Sequence, residues 1–221
     1  MKDFDVLSLT YNDEIELGAY VYVPENISVE KLPLIVFLHG AGERGNGKNE
    51  LEKLKVIGIP KYLNKGRDYP AVILMPQCPC DLVWNSLVLP LKKLIDEVIE
   101  NYNIDQSRIS ITGLSMGGYG TWEMGLTYPN FFSAMAPICG GGMSWRANLL
   151  KDTPIWAFHG DADNVVPLQN SIEMVDAVNK ASGKARLTVL HGVAHNSWDE
   201  AYNSSNLMEW LISQKRKKIY N

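Results

Sequence analysis

Three short stretches carry side chains able to do covalent chemistry. The first is Gly113-Leu114-Ser115-Met116-Gly117, a complete G-x-S-x-G. It follows the strand-like run Arg108 to Thr112 and leads into a helical segment from Met116 to Thr127. That context is what makes so short a pattern specific. A serine hydroxyl attacks poorly until a base takes its proton, and a sharp strand-to-helix turn presents it free of neighbours. Gly113 and Gly117 remove side chains that would collide across the turn; Gly118 and Gly120 let the following helix approach a sheet closely. The bland reading is a glycine-rich helix start with a capping serine.

The second and third stretches supply a base and an acid. The chain has four histidines. His39 and His159 each stand in a His-Gly pair after an apolar run and read as packing residues behind their loops. His191 directly follows the run Leu187 to Leu190 and is placed to hydrogen-bond locally. His195, in Gly192-Val193-Ala194-His195-Asn196-Ser197-Trp198, occupies a loop between the last strand and the C-terminal helix, as a general base requires. For the acid, His159-Gly160-Asp161-Ala162-Asp163-Asn164-Val165-Val166-Pro167 offers two carboxylates. Asp161 is close to the strand end, where it would cap a turn or bond backbone amides. Asp163 stands further out. A Ser, Asp, His order along the chain suits either of them with Ser115 and His195. A calcium loop lacks its glycine and distal glutamate here.

Residues Leu38 to Asn49, LHGAGERGNGKN, admit two readings. Gly42 and Gly47-Lys48 fit the start of a phosphate loop, yet the position that must hold a magnesium-binding hydroxyl is Asn49. The same letters a few residues earlier read as the His-Gly loop of a serine hydrolase, whose backbone amides meet a transient oxyanion. With a nucleophile, a base and candidate acids elsewhere in the chain, the second reading is preferred. Glu43 and Arg44 then become candidates for bracing this loop or meeting a polar substrate.

These residues need a frame. Strand-like runs cover Ala19 to Val23, Leu34 to Leu38, Ala71 to Met75, Arg108 to Thr112, Ser133 to Ile138, Ile155 to Phe158 and Arg186 to Leu190. Helical periodicity covers Leu87 to Tyr102, Leu168 to Ala181 and Ser197 to Ser213. Continuous apolar strands alternating with helices imply an α/β fold with a mostly parallel central sheet covered on both faces. The alternating N-terminal stretch around Tyr20 and Tyr22 implies an antiparallel edge. No repeat or linker interrupts the chain, so residues 1–221 are expected to form one domain without a separate cap. Ligands of such sheets collect at the carboxyl ends of the strands, where the residues above fall.

Composition narrows the partners. The chain has 221 residues, 46% hydrophobic and 21% charged, which suits an ordinary globular core. A formal net charge of -4 argues against a nucleic-acid surface. The basic run Gln214-Lys215-Arg216-Lys217-Lys218 reads as a solvated helix end. No apolar stretch approaches a membrane span, and the first residues lack a secretory pattern, so a cytoplasmic setting is expected. Three cysteines agree with a reducing compartment. Cys78 and Cys80 form Cys-Pro-Cys, poor for a disulfide and not a zinc spacing, and Cys139 reads as a small buried residue.

Taken together, these pieces resemble the α/β-hydrolase superfamily, and within it the small capless esterases of carboxylesterase, dienelactone-hydrolase-like and feruloyl-esterase-like type. The resemblance rests on Leu38-His39-Gly40-Ala41-Gly42-Glu43-Arg44-Gly45, Gly113-Leu114-Ser115-Met116-Gly117-Gly118, His159-Gly160-x-x-Asp163-x-x-Val166-Pro167, and His195 followed by Trp198. It implies nucleophile Ser115, acid Asp163 and base His195, with the backbone amides of Ala41 and Met116 as the oxyanion hole. It also implies no metal or organic cofactor, and a small-molecule or carbohydrate ester as substrate. Pro76-Gln77-Cys78-Pro79 with Trp84 is similar to a segment of that group; Gly140, Trp145, Trp198 and Arg44 are the remaining candidates for substrate contact. Trp84 and Trp145 read equally well as packing residues. An oligopeptidase-like serine peptidase uses the same three residues, and a non-catalytic binding protein on this scaffold is the other alternative.

Overall fold

The computed structural model describes residues 4–25 and 31–216; Lys217 and Lys218 of the basic run lie outside them. Its strands are β1 (Asp5–Tyr11), β2 (Ile15–Tyr22), β3 (Leu32–Leu38), β4 (Val72–Pro76), β5 (Ile104–Leu114), β6 (Ala134–Ile138), β7 (Ile155–Gly160) and β8 (Ala185–Leu190). The helices are α1 (Gly58–Asn64), α2 (Val88–Asn101), α3 (Met116–Thr127), α4 (Gln169–Lys180), α5 (Trp198–Asn203) and α6 (Leu207–Ser213). All eight strands join one sheet in the order β1-β2-β4-β3-β5-β6-β7-β8. The β1–β2 hairpin is antiparallel and joins β4 antiparallel, whereas β4, β3, β5, β6, β7 and β8 are mutually parallel. This is the α/β-hydrolase architecture, with its antiparallel N-terminal edge.

The period of two along β3 shows why its sequence is apolar throughout. Leu34, Val36 and Leu38 pack on one face with Leu91 and Ile95 of α2 and Trp122 of α3. Ile35 and Phe37 pack on the other with Ile59 and Leu63 of α1 and Leu207 and Leu211 of α6. Each such side chain, fully buried, contributes about 1.5–3 kcal/mol relative to exposure. A strand covered on both faces has no polar side to show.

Two segments differ from the pattern reading. The expected helix from Ser197 to Ser213 is two helices, α5 and α6. At the break the Ser205 hydroxyl donates to the carbonyl of Ala201 and accepts from the N–H of Leu207, replacing the helical backbone bonds. The segment between β3 and β4, unassigned by periodicity, contains 3-10 turns at Ala41–Glu43 and Asn49–Val56 followed by α1. Among the described residues no helix is long and apolar enough to cross a membrane.

Parallel strands send their chemistry to one edge. Ala41 follows β3, Ser115 follows β5, Asp163 follows β7 and His195 follows β8, all at the carboxyl ends.

Candidate active site

Ser115 is the single residue between β5 and α3, and it holds φ 53° and ψ −116°. A non-glycine residue in that region costs of order 1–3 kcal/mol, so the surroundings must enforce it. They do: the Ser115 N–H donates to the carbonyl of Ile138 at 2.9 Å, and the Ser115 carbonyl accepts from the N–H of Tyr119 at 3.1 Å. A side chain at Gly117 would collide with the backbone carbonyls of Leu38 and His39. The start of α3 therefore lies directly against the start of the His39-Gly40-Ala41 loop.

His195 bridges Ser115 and a carboxylate. Its Nε2 is 2.9 Å from Ser115 Oγ, and its Nδ1 is 2.7 Å from Asp163 Oδ2. With Nδ1–H donating to the carboxylate, Nε2 is free to accept the serine proton. The Asp163 side chain is completely buried and the imidazole is 20% exposed. Asp163 Oδ1 accepts the N–H groups of Val165 and Val166, both at 2.9 Å. Burial acts to raise the Asp163 pKa; the bonds from His195 and the two amides outweigh it and hold the carboxyl below its usual range. The indole of Trp198 stands at right angles to the His195 ring, 5.3 Å between centroids.

The same geometry separates the two acids. Asp161 turns away at the surface, where Oδ1 accepts the N–H of Gly192 at 2.7 Å and Oδ2 meets His191 Nδ1 at 2.8 Å. This pair ties the loop after β7 to the loop after β8. A second tie is the N–H of Ala162 on the carbonyl of Val193 at 3.1 Å. Gly160 permits the contact, since any side chain there would strike the carbonyls of Val193 and Ala194. Beyond His195, Asp199 of α5 is held by Lys61 and Tyr62 of α1, at 2.8 Å and 2.9 Å.

The loop after β3 is stitched from beneath. His39 is fully buried, and its Nε2 accepts the N–H of Cys78 at 2.9 Å, which leaves the ring proton on Nδ1, 2.6 Å from the carbonyl of Gly40. Gln77 Nε2 donates to the carbonyls of Glu43 and Glu50, and its Oε1 accepts the N–H of Gly47. Sequence reasoning gave Gln77 no role; a polar residue immediately after a wholly buried strand was the signal available. Arg44 Nε donates to the carbonyl of Ala41 at 3.0 Å, so it braces the loop. Ala41 and Met116 each open a helical segment, where the first N–H groups have no acceptor within the helix. Both amides thus suit a developing negative charge.

The aromatic candidates divide by exposure. Trp84 is fully buried, donates Nε1–H to the carbonyl of His39 at 2.9 Å, and packs edge-on against that imidazole. It is a packing residue, with no surface left for a substrate. Trp145 is 77% exposed on the 3-10 turn Ser144–Leu150, and Gly140 is buried against the start of α3. Of these three tryptophans, Trp198 is the one in ring contact with His195.

Cys139, Asp163 and His195 bring one ligand atom each within 4.8 Å of one another. As a metal-binding set they are poorly suited. The carboxylate and imidazole are engaged with each other, and burial pushes the Cys139 thiol up to about 12. All three cysteines are free thiols.

His39 also sets an acid limit on the fold. Burial lowers its pKa from 6.5 to about 4, against a smaller opposite effect of the Gly40 carbonyl. Above pH 6.5 the ring is neutral folded or unfolded; as pH falls towards 4 only the unfolded chain takes the proton. The linkage removes roughly 3 kcal/mol of stability across that window. His159, also lowered by burial, acts in the same direction, and Glu43, raised by burial, acts against it. His39→Gln keeps an acceptor near the ε position without the titration. Urea unfolding at pH 6.5 and pH 4 should show a smaller loss in the variant; equal losses would remove His39 as the cause.

Comparisons with known proteins agree with this architecture. A family model described as phospholipase/carboxylesterase matches residues 83–206. The chain is 28% identical over 170 residues to a bifunctional acetylxylan esterase/xylanase of Neocallimastix patriciarum, covering 72% of this chain and 24% of that protein. It is 29% identical over 148 residues to feruloyl esterase B of Neurospora crassa, covering 61% and 48% respectively. A crystal structure of a thermostable esterase superposes with a TM-score of 0.84 at 35% identity, over 97% of this chain and 64% of that one. The chain thus spans less than two thirds of each of these proteins. With 124 matched residues of 221, more than half its length, it belongs to the phospholipase/carboxylesterase family of α/β hydrolases.

Proposed function

We propose that the protein is a serine carboxylic-ester hydrolase that acts through an acyl-enzyme, with Ser115 as nucleophile, His195 as base and Asp163 as the acid. One observation carries this reading: the unbroken hydrogen-bond chain from Ser115 Oγ through His195 to a buried carboxylate. Ser115 attacks the ester carbonyl as its proton passes to His195 Nε2. The imidazolium so formed is stabilised by Asp163, which stays ionised. The carbonyl oxygen becomes an oxyanion against the amides of Ala41 and Met116, each such donor being worth roughly 3 kcal/mol. His195 then gives its proton to the leaving alcohol, and water repeats the sequence on the acyl-enzyme. None of these steps calls for a metal or organic cofactor.

The names of the relatives support small or short-chain esters, acetylated or feruloylated carbohydrate among them. The free cysteines fit a reducing setting, and the cytoplasm is the proposed location. A fluorophosphonate probe followed by peptide mapping tests the reaction, and p-nitrophenyl esters of graded acyl length run beside acetyl-xylan and feruloyl substrates test the specificity. Labelling at Ser115 with turnover of short acyl esters is expected. Absence of labelling, or labelling elsewhere, would overturn the assignment.

A further inference from the structure

A second imidazole touches the proposed acid. His159, within β7, is fully buried. Its Nε2 lies 2.9 Å from the carbonyl oxygen of Val166 and 3.3 Å from Asp163 Oδ2. Its Nδ1 lies 2.8 Å from Ser171 Oγ on α4, and that hydroxyl in turn is 3.0 Å from the carbonyl of Gly140. The neighbours decide the tautomer. Both groups facing Nε2 are acceptors only, so a neutral ring must carry its proton there, and Nδ1 competes with the Gly140 carbonyl for the single Ser171 hydroxyl hydrogen. The charged and titratable groups facing the ring are Asp163 and, beyond it, His195; burial is the largest influence and keeps the ring neutral.

Asp163 is therefore surrounded. Two backbone amides fix Oδ1, while Oδ2 is flanked by His195 on one side and His159 on the other. The carboxylate is planar and its two oxygens turn together about the Cβ–Cγ bond, so the amides on Oδ1 and the imidazoles on Oδ2 act on one and the same angle. We infer that His159 is a positioning residue for Asp163: its Nε2–H, shared between the Val166 carbonyl and Asp163 Oδ2, fixes the carboxylate at the angle that meets His195 Nδ1. The inference rests on the triad proposed above.

The test separates the Nε2–H from general packing. Glutamine can place an amide N–H near the position of imidazole Nε2, whereas asparagine reaches only the position of Nδ1; both abolish titration. His159→Gln should keep kcat within about threefold of the wild type. His159→Asn should lower kcat by at least about tenfold while KM stays within about twofold, because aim and not substrate binding is lost. Equal kcat in the two variants, whether high or low, would overturn the inference. Nitrogen NMR of the histidine-labelled wild-type protein gives a reading that needs no variant to fold. His159 is expected as the neutral Nε2–H tautomer at neutral pH; an Nδ1–H tautomer would equally overturn it. Wild-type labelling by the fluorophosphonate probe keeps the two proposals distinct. If the probe fails, the triad reading falls; if it succeeds while the variants match, only the role of His159 falls.

Discussion

Replacing Ser115 by alanine is expected to lower kcat on a p-nitrophenyl ester by at least about 10³-fold, with the fold retained. The loss follows from the geometry: without Oγ, His195 Nε2 has no proton to accept, and attack is left to water held only by the oxyanion amides. Alanine keeps a β-carbon at φ 53°, so the strain of the turn is unchanged and stability should be too. Ser115→Gly would remove both the hydroxyl and that strain, and should melt higher than the alanine variant by the equivalent of about 1 kcal/mol. Steady-state kinetics and thermal melts on the same preparations check both statements. Normal ester turnover by Ser115→Ala would remove Ser115 as the nucleophile.

The second large effect is expected from Asp163→Asn. The side-chain oxygen of the introduced asparagine would still accept the amides of Val165 and Val166, which turns its NH₂ group towards His195 Nδ1. The imidazole must then carry its proton on Nε2, facing Ser115 with a donor where an acceptor is needed. A drop in kcat of about 10³–10⁴-fold is the expected size of that tautomer reversal. Asp161→Asn should cost no more than about tenfold, since Asp161 meets exposed His191 and the Gly192 amide and not His195. Parallel kinetics on the two variants decide the matter. A larger loss at Asp161 would reassign the acid.

Much of this site was legible in the sequence because the fold places it by strand ends. The glycines around Ser115, the loop position of His195 and the His-Gly-x-x-Asp spacing are local properties, and local patterns survive in one dimension. The choice between Asp161 and Asp163 was weaker on residue grounds, because either carboxylate can follow a strand; the burial of Asp163 among amides is a three-dimensional fact. The partners of Gln77 and of His159 were not legible for the same reason. They stand 27 to 34 residues away for Gln77, and for His159 depend on how the loop folds back on its own strand. In the fold, the hairpin edge and the parallel order followed from alternation and from βα repetition. The split between α5 and α6 did not, because the Ser205 side chain competes with backbone bonds that periodicity assumes.

The three proposed catalytic side chains hang from strands of unequal security. Ser115 follows β5, which is flanked on both sides by β3 and β6, and Asp163 follows β7, flanked by β6 and β8. His195 follows β8, which among the described residues has a neighbour on one side only and no fully buried side chain along its length. Opening a sheet from its rim is the least costly excursion from the native state. Detachment of this rim strand would therefore carry off the proposed proton acceptor while Ser115 stayed seated in its strained turn, a reversible silencing that needs no loss of the core.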